Sequence, residues 1–322
     1  MNQLALLTLS AMIAFAGNSL LCRFALKSTA IDWASFTLIR IVSGALVLWL
    51  IVRIRNAKNR EKSSPVLDNQ INPQSLVGSW AAAFALFVYA AAFSAAYVSL
   101  PAASGALLLF GAVQATMIGV GLTLGERLRP RQWLGLLCAL GGLASLALPR
   151  GSTDTAVAHG APSFLGVALM VSAGVAWGIY SLKGRRNVGD PIDVTAGNFL
   201  RAVPMALLLF LLLHAIGPFT LQRGLQSTGQ IILQSPTWDS MGAWAAVASG
   251  ALASGLGYAV WYTALPRLRA TNAATVQLSV PVIAAVGGIV FLDEAITLGL
   301  VVASVAILGG IALVIMNRQP AK

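Results

Sequence analysis

The residues that could carry chemistry in this chain are few, and their placement is informative. All ten carboxylates, Asp32, Glu61, Asp68, Glu126, Asp154, Asp190, Asp193, Asp239, Asp293 and Glu294, fall between or at the ends of long apolar runs. A buried acid that trades its proton for a solute is therefore not expected. Intramembrane hydrolysis would need a placed nucleophile and base, an HExxH motif or an aspartate pair. With His159 and His214 the only histidines, no such set forms, and no catalytic residue is expected. The two cysteines, Cys22 and Cys138, sit in apolar segments and allow neither a disulfide framework nor a zinc spacing. No metal or cofactor is expected.

Three ionisable groups lie inside apolar runs: Arg40, Arg201 and His214. Either arginine could grip an anion such as a carboxylate through its fork. The alternative is that each snorkels or caps nearby carbonyls, since both stand about two turns from a helix start. His214 lies near a run's end and reads as packing. Polar and aromatic side chains at mid-depth say more. Tyr89, Gln114, Trp177 and Tyr180 are central, the last two sharing one helix face, while Asn18, Asn198, Tyr258, Trp261 and Gln277 lie somewhat off centre. Unpaired polar groups in hydrocarbon are costly, so these should face the interior of a bundle. There they either line a solute cavity or bond between helices. As a set they predict a substrate site at the centre, lined foremost by Tyr89, Gln114, Trp177, Tyr180 and Gln277.

The elements that would position them are apolar helices. Of 322 residues, 57% are apolar and 10% charged. That is far below the charge of soluble domains, and the natural solvent is lipid. Ten segments are long and apolar enough to be read as membrane helices: Leu4–Leu21, Ala34–Val52, Leu76–Val98, Ala102–Leu124, Trp133–Leu148, Phe164–Leu182, Val194–Ile216, Met241–Ala264, Asn272–Phe291 and Leu298–Met316. Two longer polar connections, near residues 53–75 and 217–240, read as surface loops. Met1-Asn2-Gln3 supplies no basic start for a signal peptide, so the first run is kept as a permanent helix.

The net charge of +11 is spread over loop clusters rather than over a nucleic-acid face. With a cytoplasmic N-terminus, the inner loops collect the basic residues of Arg53–Lys62, Arg127–Arg131, Lys183–Arg186, Arg267, Arg269, Arg318 and Lys322. The outer loops hold Arg23, Lys27, Arg150 and Arg223. This bias puts both termini in the cytoplasm.

The two halves, 1–150 and 151–322, repeat one another. Ala16-Gly17 matches Trp177-Gly178, and Arg40 matches Arg201. Tyr97 to Pro101 matches Tyr262 to Pro266, Glu126 matches Glu294, and Gly141-Gly142 matches Gly309-Gly310. Five helices per half force the second half to enter from the opposite side, the inverted repeat of secondary transporters. Glu126 and Glu294 are expected to support helix N-termini, and the glycine pairs to allow close helix approach.

The chain resembles the EamA-like branch of the drug/metabolite transporter superfamily over nearly its whole length. The specific features are Gly125-Glu126 followed by Gly142, Asp293-Glu294 followed by Gly310, and Pro281 before Glu294. Val113 stands where the fourth helix would match Pro281, and Ala16 where the first half would match Trp177. The resemblance implies a ten-helix carrier of small metabolites, commonly outward. The full expectation is an all-α, multi-pass protein of a bacterial inner membrane. It would export amino acids or related compounds by alternating access, as a monomer or homodimer, with lipid and a small solute as its partners. A nucleotide sugar or drug is the alternative cargo. An enzyme or channel is disfavoured for want of a catalytic set or a filter loop.

Overall fold

Polar residues placed at the ends of the apolar runs start the helices. Asp32 accepts from the backbone N–H of Ala34 (3.0 Å) and Ser35 (2.9 Å). Ser79 accepts from Ala82 (3.1 Å), Asp190 from Ile192 (2.8 Å), and Asp239 from Gly242 (2.8 Å). Each satisfies an N–H that helix geometry leaves orphaned.

The computed structural model describes residues 3–62, 77–123, 129–147, 164–186, 189–224, 238–264, 267–268 and 276–316. Their regular structure is helical: α1 Gln3–Ser28, α2 Trp33–Lys62, α3 Trp80–Tyr97, α4 Ala102–Thr123, α5 Pro130–Ala147, α6 Phe164–Arg186, α7 Pro191–Gly224, α8 Ser240–Ala264, α9 Ser279–Leu292 and α10 Leu298–Met316. Seven of these, all but α5, α9 and α10, are long and apolar enough to cross a membrane. The described parts of α9 and α10 are shorter apolar helices.

Several boundaries differ from those expected. Helix α1 continues to Ser28, so Arg23 and Lys27 are helical rather than loop residues. Helix α2 continues to Lys62 and α7 to Gly224, each taking in the start of an expected surface loop. The reason is that amphipathic basic residues such as Arg53 and Arg55 prolong a helix as readily as apolar ones. Residues 63–75 and 225–237 of those connections, Glu126 with Gly125, Asp154, His159, Pro266, the start of the ninth helix at Asn272, and Arg318 and Lys322 lie outside the described residues.

Large apolar side chains cover the outside, for example Leu207, Leu208, Leu211 and Leu212 on α7 and Val301, Val302 and Val305 on α10. The interior is rich in alanine, which lets helices approach closely. The principal packed pairs obey a simple exchange. Helices α2 and α7, α4 and α9, and α5 and α10 pack together, while α3 on α6 has its counterpart in α8 on α1. Between α5 and α10 the exchange reaches single residues. A side chain at Gly142 would meet Ala303 and Ile307, and one at Gly310 would meet Gly135 and Ala139. These are matched positions of the repeat, and the two helices run antiparallel. Gly141 and Gly309 face open space, so the close approach belongs to one glycine of each pair.

Candidate functional site

A cavity lies where α1, α3, α4, α6 and α8 come together. Its lining is Phe15, Asn18, Ser19, Tyr89, Phe93, Leu109, Phe110, Trp177 and Tyr258. In this conformation its free space is small, room for little more than a water molecule. The aromatic walls stand close together. Ring centroids are 4.7 Å apart for Tyr89 and Trp177, 5.1 Å for Trp177 and Tyr258, and 5.8 Å for Phe15 and Tyr258. In this conformation the rings fill most of the middle, and a solute of amino-acid size must part them.

The polar end of the cavity is organised by the Tyr89 hydroxyl. It accepts from Asn18 Nδ2 at 3.2 Å and from Arg40 Nη2 at 3.0 Å. Asn18 Oδ1 in turn accepts from Ser249 Oγ at 2.6 Å, and Arg40 Nε reaches Ser254 Oγ at 3.4 Å. Ser249 and Ser254 both lie on a π-helical stretch of α8, Ser249–Leu256. Such stretches offset the hydrogen-bond ladder and recur at functional sites. Here the offset brings two hydroxyls to α1 and α2, and the helix then continues into Tyr258. Gly250 allows the crossing, because a Cβ there would collide with Arg40 O and Ser43 Oγ of α2.

Arg40 is 2% exposed, and its guanidinium lies 5.2 Å from the Tyr89 ring centroid and 4.8 Å from that of Phe93. Its Nη1 has no hydrogen-bond partner. Arg201 is placed quite differently. Its Nη1 donates to Val77 O (3.3 Å) and Gly197 O (3.1 Å), and its guanidinium lies 6.0 Å from the Trp80 ring. The two arginines match in the repeat but differ in surroundings.

Of the residues expected at the site, Asn18, Tyr89, Trp177 and Tyr258 line the cavity together. Tyr180 stacks behind Trp177 at 5.4 Å and faces Thr195, Asn198 and Tyr262. Trp261 packs behind Phe15 at 5.9 Å. Asn198 accepts from Ser79 N at 3.0 Å, at the start of α3. Gln114 is buried on α4 and Gln277 half-buried just before α9, neither in the lining. His214 Nδ1 meets Phe210 O of its own helix at 2.9 Å. Sequence reasoning passed over Phe15, Ser19, Phe93, Leu109 and Phe110. Their apolar or small side chains carry no mark that separates cavity lining from packing.

Ion pairs tie the helices at both ends of the bundle. Where α1 ends, the Glu294 carboxylate accepts from Arg23 Nε (3.2 Å) and from Ala102 N (2.8 and 3.1 Å), the first residue of α4. Arg23 also donates to Tyr97 O and Val98 O, and Lys27 to Leu292 O. Asp293 makes this possible. It is the one non-glycine residue with positive φ among those described, and Glu294 N turns back to Gly288 O at 3.1 Å. Glu294 thus supports a helix N-terminus as expected, but that of α4 rather than of α10. At the far end of α2, Arg55 pairs with Asp190 (2.9 Å) and with Asp193. Burial alone would raise the Asp190 carboxyl. Its bonds to Arg55 and to the Ile192 N–H outweigh that and hold it below the ordinary value.

The profile of the EamA-like transporter family matches residues 3–148 and again 164–316. An uncharacterized protein of Pseudomonas aeruginosa is 50% identical over 313 residues, covering 97% of this chain and 94% of its own. A crystal structure of another protein superposes with a TM-score of 0.57 at 20% identity, over 97% of this chain and 96% of that one, a likeness of fold.

Proposed function

Because the chain belongs to the EamA-like transporter family of the drug/metabolite transporter superfamily, we propose that it is a secondary carrier exporting amino acids or related small metabolites by alternating access. It is an integral, multi-pass membrane protein. The observation that carries the reading is the central cavity, where Asn18, Tyr89 and Ser19 offer hydrogen bonds beside the broad faces of Trp177 and Tyr258. Polar groups fix orientation while aromatic walls cover an apolar part, the usual division of labour in a small-molecule site.

In this reading the repeats are 1–150 and 151–322, ten helices cross the membrane, and the axis relating the repeats lies in the membrane plane. The antiparallel exchange of contacts between α5 and α10 supports that axis. Both termini then face the cytoplasm of a bacterium, and the Arg23–Glu294 contact lies at the outer end. Opening outward separates α1 from α9 there. Opening inward separates α2 from the start of α7 at Arg55. No acid lines the cavity, so transport is passive, driven by exchange, or coupled to protons at a site outside the helix cores.

Flat aromatic walls also fit a planar drug or a nucleotide base, which keeps those cargoes as the second reading. Uptake into proteoliposomes preloaded from a panel of amino acids, nucleotide sugars and planar cations tests both. Counterflow of an amino acid supports the first reading. Counterflow confined to the other classes replaces it, and none from any class removes the carrier.

A further inference from the structure

We propose that Arg40 is the counter-charge for a carboxylate on the transported solute, so that the cargo class is organic acids and amino acids with a free carboxylate. This rests on the central cavity being the transport site, and the test below separates the two claims.

Arg40 is an unbalanced charge. Arginine stays protonated under all ordinary conditions. Its guanidinium is buried, one of its nitrogens lacks a partner, and what faces it is uncharged: the Tyr89 and Tyr258 hydroxyls, the Ser254 hydroxyl and the Cys22 thiol. The nearest acid along its own helix, Asp32, is about two turns or roughly 12 Å away along the axis. Its oxygens are engaged by Ala34 N, Ser35 N and Ser35 Oγ. Among the described residues the ion pairs are Arg23–Glu294 and Arg55 with Asp190 and Asp193, and none involves Arg40. A buried cation left without an anion is strongly unfavourable.

The cation also adjoins the cavity. The rings it lies against, Tyr89 and Phe93, are cavity wall. The Tyr89 hydroxyl accepts from Asn18 and Arg40, which uses both its lone pairs. Its own proton can then only be donated, towards Tyr258 or the cavity. A carboxylate entering there meets an O–H donor and, once the two rings part, the unpartnered Nη1. That is a charge-assisted pair of the strong kind. Arg201 offers no such site, because its Nη1 is bonded to two backbone carbonyls.

The experiment uses purified full-length protein and matched probes that differ in one group: indole-3-acetate against indole-3-acetamide, and L-tryptophan against L-tryptophanamide. Binding is read by thermal stabilisation in detergent, transport by counterflow in proteoliposomes. Wild type should bind each carboxylate at least about tenfold more tightly than its amide, the scale of a hydrogen bond to a charged group. Arg40→Gln should bring each pair within about twofold, and Arg40→Lys should keep part of the preference. Arg53→Gln, a charge loss further along the same helix, should keep all of it. Equal binding of acid and amide by wild type overturns the proposal, as does a preference that survives Arg40→Gln. Should Arg40→Gln fail to fold, the wild-type pairs and Arg40→Lys still decide. Counterflow of the amides as fast as the acids leaves the carrier standing and sinks the carboxylate. Tight carboxylate binding with no counterflow does the reverse.

Discussion

Replacing Glu294 tests how the end of the bundle where α1 stops is held together. The carboxylate joins three elements, α1 through Arg23, α4 through Ala102 N, and α9, from which it extends. Arg23 and Glu294 are 12% and 10% exposed, so the pair is mostly, not wholly, desolvated. Support of a helix N-terminus in a partly buried setting contributes up to about 2 kcal/mol. Breaking a fully buried pair costs about 3–5 kcal/mol. Arg23 keeps two carbonyls, Tyr97 O and Val98 O, when the carboxylate goes, which lowers the charge penalty. The expected loss is therefore about 2–3 kcal/mol for Glu294→Ala and about 1–2 kcal/mol for Glu294→Gln, which retains an acceptor for Ala102 N. Thermal unfolding of purified protein in detergent should rank wild type above Glu294→Gln above Glu294→Ala. A double-mutant cycle with Arg23→Gln should show a coupling of about 1 kcal/mol. Effects that add to within about 0.5 kcal/mol would show that the two side chains act independently, and the latch would be refuted.

Other outcomes follow from particular contacts. Tyr89→Phe removes the acceptor shared by Asn18 and Arg40 and should reduce transport at least about tenfold while insertion stays normal; transport at the wild-type rate would show that the hydroxyl only packs. Gly310→Ala should destabilise by about 1–3 kcal/mol because the new Cβ meets the backbone of Gly135 and Ala139, whereas Gly309→Ala, facing open space, should be silent in the same melt. Asp190, whose carboxyl is held below its ordinary value, stabilises the fold above its unfolded pKa, and that contribution is lost as pH falls through the lower folded value. Asp190→Asn should therefore lower the melting temperature at pH 7 and converge on wild type in strong acid; a gap that persists unchanged there would contradict the pairing. A cysteine at Lys58 should react with an impermeant reagent from the cytoplasmic side alone, and strong labelling from outside would reverse the topology.

Most helices were legible because lipid demands long apolar runs, a coarse property of sequence. Their ends were less so. Arg23 and Lys27 follow an apolar run and look like loop residues, yet they stay helical because carbonyls at the ends of α3 and α9 and the Glu294 carboxylate just beyond α9 await them. Four of the nine lining residues were legible for a related reason, since Asn18, Tyr89, Trp177 and Tyr258 carry polar or amphipathic groups that hydrocarbon would reject. Asn198 carries the same mark but bonds Ser79 N. Polarity shows that a residue faces inward, not which partner it finds. Leu109 and Phe110 carry no mark at all. The π stretch of α8 was likewise hidden, since it arises from crossing α2 at Gly250 rather than from local propensity.

The central claim is that the cavity is the transport path and opens to each side in turn. Ser19 lines it, and Cys22 is buried, so the variant Ser19→Cys, with exposed Cys138 changed to serine, gives one reporter at the site. Alkylation by a small impermeant thiol reagent is measured in right-side-out and in inverted vesicles, with and without a solute that shows counterflow. Alternating access predicts reaction from both faces, slowed from both by the solute. Reaction from one face only, or from both with no protection, would contradict it.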